Sequence, residues 1–207
     1  MRSRRLGLKP VPAAVFAAAL LLLPVQGQDA APEQCLGGRL DAPIRIEVFS
    51  DFQCPGCRVF YLETMKQVLQ DYCALNKVCL IYREFPLNGH PYAREAARYS
   101  VAAQRLGRKQ YQAVVESLYF HQPQWSENGK VSAAVGKALS PEDYQRLVKI
   151  LQSASINKTI DREVALGQRR EITTTPTFII SAGGREQRIV GGVPYPVLKD
   201  FFDRTLK

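Results

Sequence analysis

Pro43-Ile-Arg-Ile-Glu-Val-Phe-Ser-Asp-Phe-Gln-Cys-Pro-Gly-Cys57 carries two patterns in succession. Ile44, Ile46 and Val48 alternate with Arg45 and Glu47, and a period of two with branched side chains specifies a strand. Ser50-Asp-Phe-Gln53 then leads into Cys54-Pro-Gly-Cys57, after which Phe60, Met65, Val68 and Leu69 recur at helical spacing. The reading is strand, turn, helix, with the two cysteines opening the helix.

That placement points to thiol chemistry. Cysteines three apart on a first helical turn share one face and can close a small disulfide ring. The unpaired amides and positive dipole end of the helix favour a thiolate there. Cys54 is expected to be the exposed nucleophile, and Cys57, one turn deeper, to resolve the mixed disulfide that Cys54 forms with a substrate. Pro55 and Gly56 add little side-chain bulk and tune the pair's redox behaviour. An inert structural disulfide fits poorly, since the spacing is cramped and the strand-to-helix position exposes it. Zinc would need a second close pair, and Cys73 and Cys79 lie too far apart to supply one. Covalent haem attachment needs a histidine after the second cysteine, where this chain has Arg58. No metal and no cofactor is expected beyond the redox-active cysteine pair.

Outward from this motif, Lys77-Val-Cys-Leu-Ile-Tyr-Arg-Glu-Phe85 reads as a second strand, reached through a helix as a parallel crossover requires. From His90 to about Arg170 the chain is helical: Ala93 to Ala103 is rich in small residues, and Ser140-Pro-Glu-Asp143 supplies an N-cap, a first-turn proline and an acid. Thr173-Thr-Thr-Pro-Thr-Phe-Ile-Ile180 and Glu186 to Val190 read as strands joined by Gly183-Gly184, and Val197 to Leu206 as a closing amphipathic helix. A trans proline would be an odd opening for the third strand, so a cis Thr175-Pro176 bond is expected. Backbone around Thr175 and Pro176 would then offer hydrogen bonds to an extended substrate peptide beside the cysteines.

The chain has 207 residues, 46% hydrophobic and 23% charged, which suits one well-buried globular unit. Its start differs: Arg2, Arg4, Arg5 and Lys9 precede an apolar run from Val11 to Leu23, then Pro24 and Val25-Gln-Gly27. Basic, apolar, then small residues read as a signal peptide over 1–27; the run falls short of the roughly 20 residues of a spanning anchor. Ser3-Arg-Arg-Leu-Gly-Leu-Lys9 also resembles a twin-arginine signal, with Gly7 where that signal has a bulky apolar residue, so both export routes stay open. The formal charge of +9 falls to about +5 without this leader. With no basic cluster interleaved with aromatics, no nucleic-acid partner is expected. The expected organisation is signal peptide 1–27, linker 28–41, a first α/β part 42–87, an inserted helical domain 88–171 and a second α/β part 172–207.

Five cysteines in an exported chain permit disulfides and leave one thiol over. Cys73 and Cys79 flank a helix-to-strand turn and are the expected structural pair. Cys35 is then the spare thiol: free, paired with another chain, or exchanged with one of those two.

Several stretches together resemble the DsbA-like thiol-disulfide oxidoreductases of the bacterial cell envelope. They are Phe49-Ser-Asp-Phe-Gln-Cys-Pro-Gly-Cys57, Tyr82-Arg-Glu-Phe-Pro-Leu87, His90-Pro-Tyr-Ala93, Thr175-Pro-Thr-Phe178 and Val193-Pro-Tyr-Pro-Val-Leu198. The resemblance runs from about Ala42 to Leu206. It implies a thioredoxin-like fold with an inserted helical domain, Cys54 as nucleophile, Cys57 as resolving partner and a cis-proline loop at Thr175 and Pro176. It also implies a role in the periplasm or another extracytoplasmic space, donating disulfides to reduced exported proteins. Reoxidation would come from a membrane quinone-linked thiol oxidase, DsbB-like or VKOR-like. A reductase or isomerase uses the same residues at another potential, and a peptide-binding chaperone is the reading from another class. Related isomerases carry an N-terminal dimerisation module; only a short linker precedes the first strand here, so a monomeric oxidase is expected. Two departures stand out. Family members often bury a glutamate six residues before the first cysteine, whereas this chain has Val48 there, and Glu47 should face the other way by strand alternation. Pro55-Gly56 also differs from the most familiar oxidase dipeptide, so weaker oxidising power is expected.

His90 is read as a capping or packing residue, His121 stands in no motif, and Tyr119, Phe120 and Trp125 are expected in the helical core. Asn157-Lys-Thr159 matches a glycosylation pattern by chance within a helix.

Overall fold

The computed structural model describes residues 33–207. The signal-peptide reading and the first residues of the linker lie outside the described residues. Strand β1 (Ile44–Ser50) is followed by one long helix over residues 55–73, in which α1 (Pro55–Phe60) and α2 (Lys66–Val68) alternate with π-helical Tyr61–Met65 and Leu69–Cys73. Strand β2 (Val78–Glu84) comes next. Six helices then fill the chain before the third strand: α3 (Ala93–Leu106), α4 (Arg108–Phe120), α5 (Gln122–Asn128), α6 (Val131–Gly136), α7 (Pro141–Leu151) and α8 (Ala154–Arg169). Strands β3 (Thr177–Ala182) and β4 (Arg185–Val190) and helix α9 (Tyr195–Thr205) close it. The sheet order is β2-β1-β3-β4, with β1 and β2 parallel and the other pairs antiparallel. This is the expected thioredoxin-like α/β arrangement with helices inserted between β2 and β3.

Strand alternation assigns the two faces of the sheet. Ile44, Ile46 and Val48 of β1, Val78, Leu80 and Tyr82 of β2, and Phe178 and Ile180 of β3 enter the main core. There they meet the first helix, Leu198 and Phe202 of α9, and Tyr111, Val115, Leu118 and Tyr119 of α4. On the opposite face Phe49, Phe85, Ile172 and Ile179 pack with Val164 and Leu166 of α8. Gly167 makes that approach possible, because a Cβ there would stand 2.4 Å from the Phe85 ring. Ser140 caps α7 as expected, accepting from the Asp143 amide at 3.2 Å.

One expectation is corrected. The disulfide joins Cys35 to Cys79, not Cys73 to Cys79, and Cys73 is a buried thiol. Alternation along β2 explains this: Val78 and Leu80 face the main core, so Cys79 between them points to the other face, where Cys35 and Ile81 lie. Cys73, at the end of the first helix, belongs to the main core, so the sheet separates the two sulfurs. Residues 36 and 37, ahead of β1, are held against β2 by backbone bonds. Leu36 donates to the Leu80 carbonyl at 2.6 Å, and the Leu80 amide donates to Gly37 at 3.0 Å. At Gly38, φ is +82° and a Cβ would fall 1.9 Å from the Val78 carbonyl oxygen, so glycine is required for the chain to pass this close to β2.

Candidate active site

The end of β1 and the start of the first helix are joined by a turn that Asp51 organises. Its fully buried carboxylate accepts from the Gln53 amide at 2.7 Å, from the Leu87 amide at 2.8 Å, and pairs with His90 Nδ1 at 2.8 Å. Gln53 then reaches the helical block, accepting from the Tyr92 amide at 2.8 Å and donating to the Ser126 carbonyl at 3.1 Å. From α5, Gln122 donates to the carbonyls of Phe52 and Cys54 at 2.6 and 3.0 Å. Held from both sides, Cys54 takes the N-cap position with extended backbone, and Pro55 begins the helix where its missing N–H costs nothing.

Cys54 and Cys57 are both free thiols, 8% and 1% exposed. Cys57 is therefore the deeper, as expected, and Cys54 is more enclosed than an exposed nucleophile. The Cys54 thiol is pulled down to about 5, chiefly by the Cys57 thiol donating to it, with help from the backbone amides of Gly56 and Cys57 and against the effect of burial. Burial pushes the Cys57 thiol in the opposite direction, well above its ordinary value. One sulfur is thus an anion and its neighbour a neutral donor, an arrangement suited to dithiol-disulfide exchange.

The Thr175-Pro176 bond is cis, and the loop it forms faces the cysteines. Cys54 Sγ lies 3.4 Å from the Thr175 carbonyl oxygen, to which it can donate only when protonated, and a Cβ on Gly56 would meet Pro176 Cδ at 3.6 Å. All the residues singled out in the sequence for exchange, namely Cys54, Pro55, Gly56, Cys57, Thr175 and Pro176, therefore meet in one place. Beside them opens a groove of about 640 Å³ bordered by Gly56, Val59, Phe60, Thr64, Val193 and Pro194.

Beneath Cys57 lies a buried group that sequence reasoning did not single out. The Ser50 hydroxyl is 2.7 Å from that of Tyr119, which also bonds the Tyr82 hydroxyl. Phe52 packs on the Tyr82 and Tyr119 rings, and Tyr61 stacks on Tyr119 with centroids 4.9 Å apart. Ser50 and Tyr82 stood inside quoted motifs, but nothing in the sequence links them to a tyrosine on α4. Gln122 gave no signal either, because its partners lie about seventy residues away. Tyr119 and Trp125 are buried as expected, whereas Phe120 is 61% exposed. Tyr119, Trp125 and Leu118 occupy the inward stripe of α4 and α5, which turns Phe120 outward.

A family model described as Thioredoxin matches residues 30–188. The disulfide bond formation protein D of Bacillus subtilis (strain 168) is 22% identical over 186 residues, covering 88% of this chain and 82% of its own. Among solved structures, the thiol-disulfide exchange protein alpha-DsbA2 from Wolbachia pipientis superposes with a TM-score of 0.67 at 21% identity, covering 81% of this chain and 84% of its own. Pseudomonas aeruginosa DsbA2 gives 0.65 at 24% identity, with 84% and 95% covered.

Proposed function

This chain belongs to the thioredoxin family, and from that premise we propose that it is a thiol-disulfide oxidoreductase that introduces disulfide bonds into exported proteins through Cys54 and Cys57. The observation that carries the reading is the opposed character of the two sulfurs, a low-lying thiol at the helix cap over a neutral, buried one. A substrate thiolate attacks Cys54 Sγ of the Cys54–Cys57 disulfide, and that bond breaks with its electron pair left on Cys57. A second substrate thiolate then attacks the substrate sulfur of the mixed disulfide, forming the substrate disulfide and releasing Cys54 as a thiolate. The substrate loses two electrons and the cysteine pair gains them, so no other cofactor enters. The Thr175-Pro176 loop and the groove beside Gly56 would hold an extended substrate segment against Cys54.

The Cys35–Cys79 disulfide supports an oxidising, extracytoplasmic setting such as the periplasm. Reduced exported proteins would be the substrates, and a membrane quinone-linked thiol oxidase would restore the disulfide. Pro55-Gly56 places no side-chain donor beside the Cys54 sulfur, so the pair should oxidise less strongly than family members that have one.

The test is oxidative refolding of a reduced, disulfide-containing protein, alongside the equilibrium of the Cys54–Cys57 pair with glutathione. The wild-type protein should restore activity to the substrate and Cys54→Ser should lose more than a hundredfold in rate. Full activity in Cys54→Ser would point to a chaperone instead, and a strongly reducing equilibrium would point to a reductase.

A further inference from the structure

When the Cys54–Cys57 disulfide opens, the electron pair arrives on a sulfur that is 1% exposed, where water cannot stabilise it. Something in the protein must receive that charge. The apolar Val48 side chain, on the same face of β1, cannot. Two residues further along that face stands Ser50, and register pairs Val48 with Tyr82 and Ser50 with Glu84 on β2. Hydrogen bonding from the Asp51 backbone and the Ser50 side chain works against burial in setting the Cys57 thiol.

The hydroxyls of Ser50, Tyr119 and Tyr82 form one buried chain, closed from the side by Phe52 and Tyr61. Cys57 and Tyr61 are one turn apart on the same helix face, and Tyr61 stacks on Tyr119, so the helix itself sets the sulfur over this chain. A hydroxyl carries one proton and two lone pairs, so a row of three can run in either direction. In the reduced protein the Cys57 thiol gives its one proton to Cys54; with a thiolate at position 57, Tyr82 donates to Tyr119, Tyr119 to Ser50, and Ser50 to sulfur. Glu84, the register partner of Ser50, has its carboxyl pushed well above the ordinary carboxylate range by burial, with Glu163 beside it.

We propose that Ser50, oriented by Tyr119 and Tyr82, is the hydrogen-bond donor that receives the Cys57 sulfur as the disulfide opens, with the two tyrosines acting as positioning residues. The inference rests on the exchange reaction proposed above and assigns a group to its leaving sulfur. No net proton comes from the hydroxyls. The proton that Cys57 finally takes up is the equivalent of the one the attacking thiol shed to water.

The experiment is the rate at which dithiothreitol reduces the Cys54–Cys57 disulfide of the oxidised full chain, followed by quenched alkylation. Ser50→Ala and Tyr119→Phe should each slow reduction about tenfold, as loss of a hydrogen bond to a charged leaving group requires. Ser50→Thr, which keeps the hydroxyl, should return most of the rate. The equilibrium constant with dithiothreitol should move less than threefold, because the Cys57 sulfur carries no charge at either end of the change, in the disulfide before it and as a buried neutral thiol after it. A merely structural role would shift that equilibrium or the Tm instead of the rate. Wild-type rates in folded Ser50→Ala and Tyr119→Phe would overturn the proposal, and Tyr119→Phe alone decides if Ser50→Ala fails to fold. A wild-type protein whose cysteine pair forms no reducible disulfide would overturn the exchange reading itself, and this inference with it.

Discussion

The Cys54 sulfur is stabilised as an anion at an ordinary pH, which is what the proposed exchange reaction requires of it. The Cys57 thiol is the largest contributor, and the first amides of the helix add to it. Alkylation of the reduced protein by iodoacetamide should therefore rise with a midpoint near pH 5 and level off by neutrality, whereas an ordinary thiol is still rising toward pH 9. A midpoint above 8 would remove the basis of the mechanism. The same shift has a stability consequence with a fixed sign. A thiol whose value is lowered on folding stabilises the folded reduced state as pH rises from about 5 toward 9, and that advantage disappears below 5. The urea midpoint of the reduced protein, compared with that of Cys54→Ser, should diverge over this interval in that direction. Cys73 is the contrast: burial pushes its thiol up to about 12, and the same reagent should leave it untouched in the folded protein.

At the scale of elements, the sheet is completed on the outer side of β2 by a segment with little strand character. Residues 35–38 are held there by backbone bonds to Leu80 and by the disulfide from Cys35 to Cys79, which spans 44 positions. Closing a loop of that length restricts the unfolded chain by roughly 4 kcal/mol in the loop-entropy estimate. The double variant Cys35→Ala/Cys79→Ala should lower the urea stability by about 2–4 kcal/mol. It should leave the reduction rate of the Cys54–Cys57 pair within twofold of wild type, since the two disulfides occupy opposite faces of the sheet. A thiol titration of the denatured oxidised wild type should find one free cysteine, Cys73. Loss of exchange activity in the double variant with its fold intact would show that the two pairs are coupled.

Across the whole molecule, polar contacts tie the inserted helices to the cysteine turn. Ser50 meets Tyr119, Gln53 meets Ser126, Gln122 holds the Phe52 and Cys54 carbonyls, and Arg58 donates to the Tyr119 carbonyl at 3.1 Å. The aromatic layer of Phe52, Tyr61, Tyr82 and Tyr119 fills the same boundary. Helices and sheet therefore share one core, and the protein should unfold in a single transition. The test uses the lone tryptophan, Trp125, buried in the helical block, and the Cys73 thiol at the far end of the first helix. Urea curves from Trp125 fluorescence and from Cys73 labelling should coincide. Two separated midpoints would mean that the inserted helices melt independently of the sheet.

Local patterns were enough for much of this. Alternation over residues 44–48, helical spacing after Cys57, the Ser140 cap and the proline before β3 each express short-range sterics, and the motifs built on them located Cys54, Cys57, Thr175 and Pro176. Disulfide partnership and the surroundings of Cys57 were decided only by tertiary structure. Cys73 and Cys79 are close in sequence, but alternation in β2 sends Cys79 to the face where Cys35 waits. Ser50, Tyr82 and Tyr119 become neighbours only when β1, β2 and α4 pack together. Burial then determines which hydroxyl meets which sulfur, because a polar group withdrawn from water must find its partner within the folded protein.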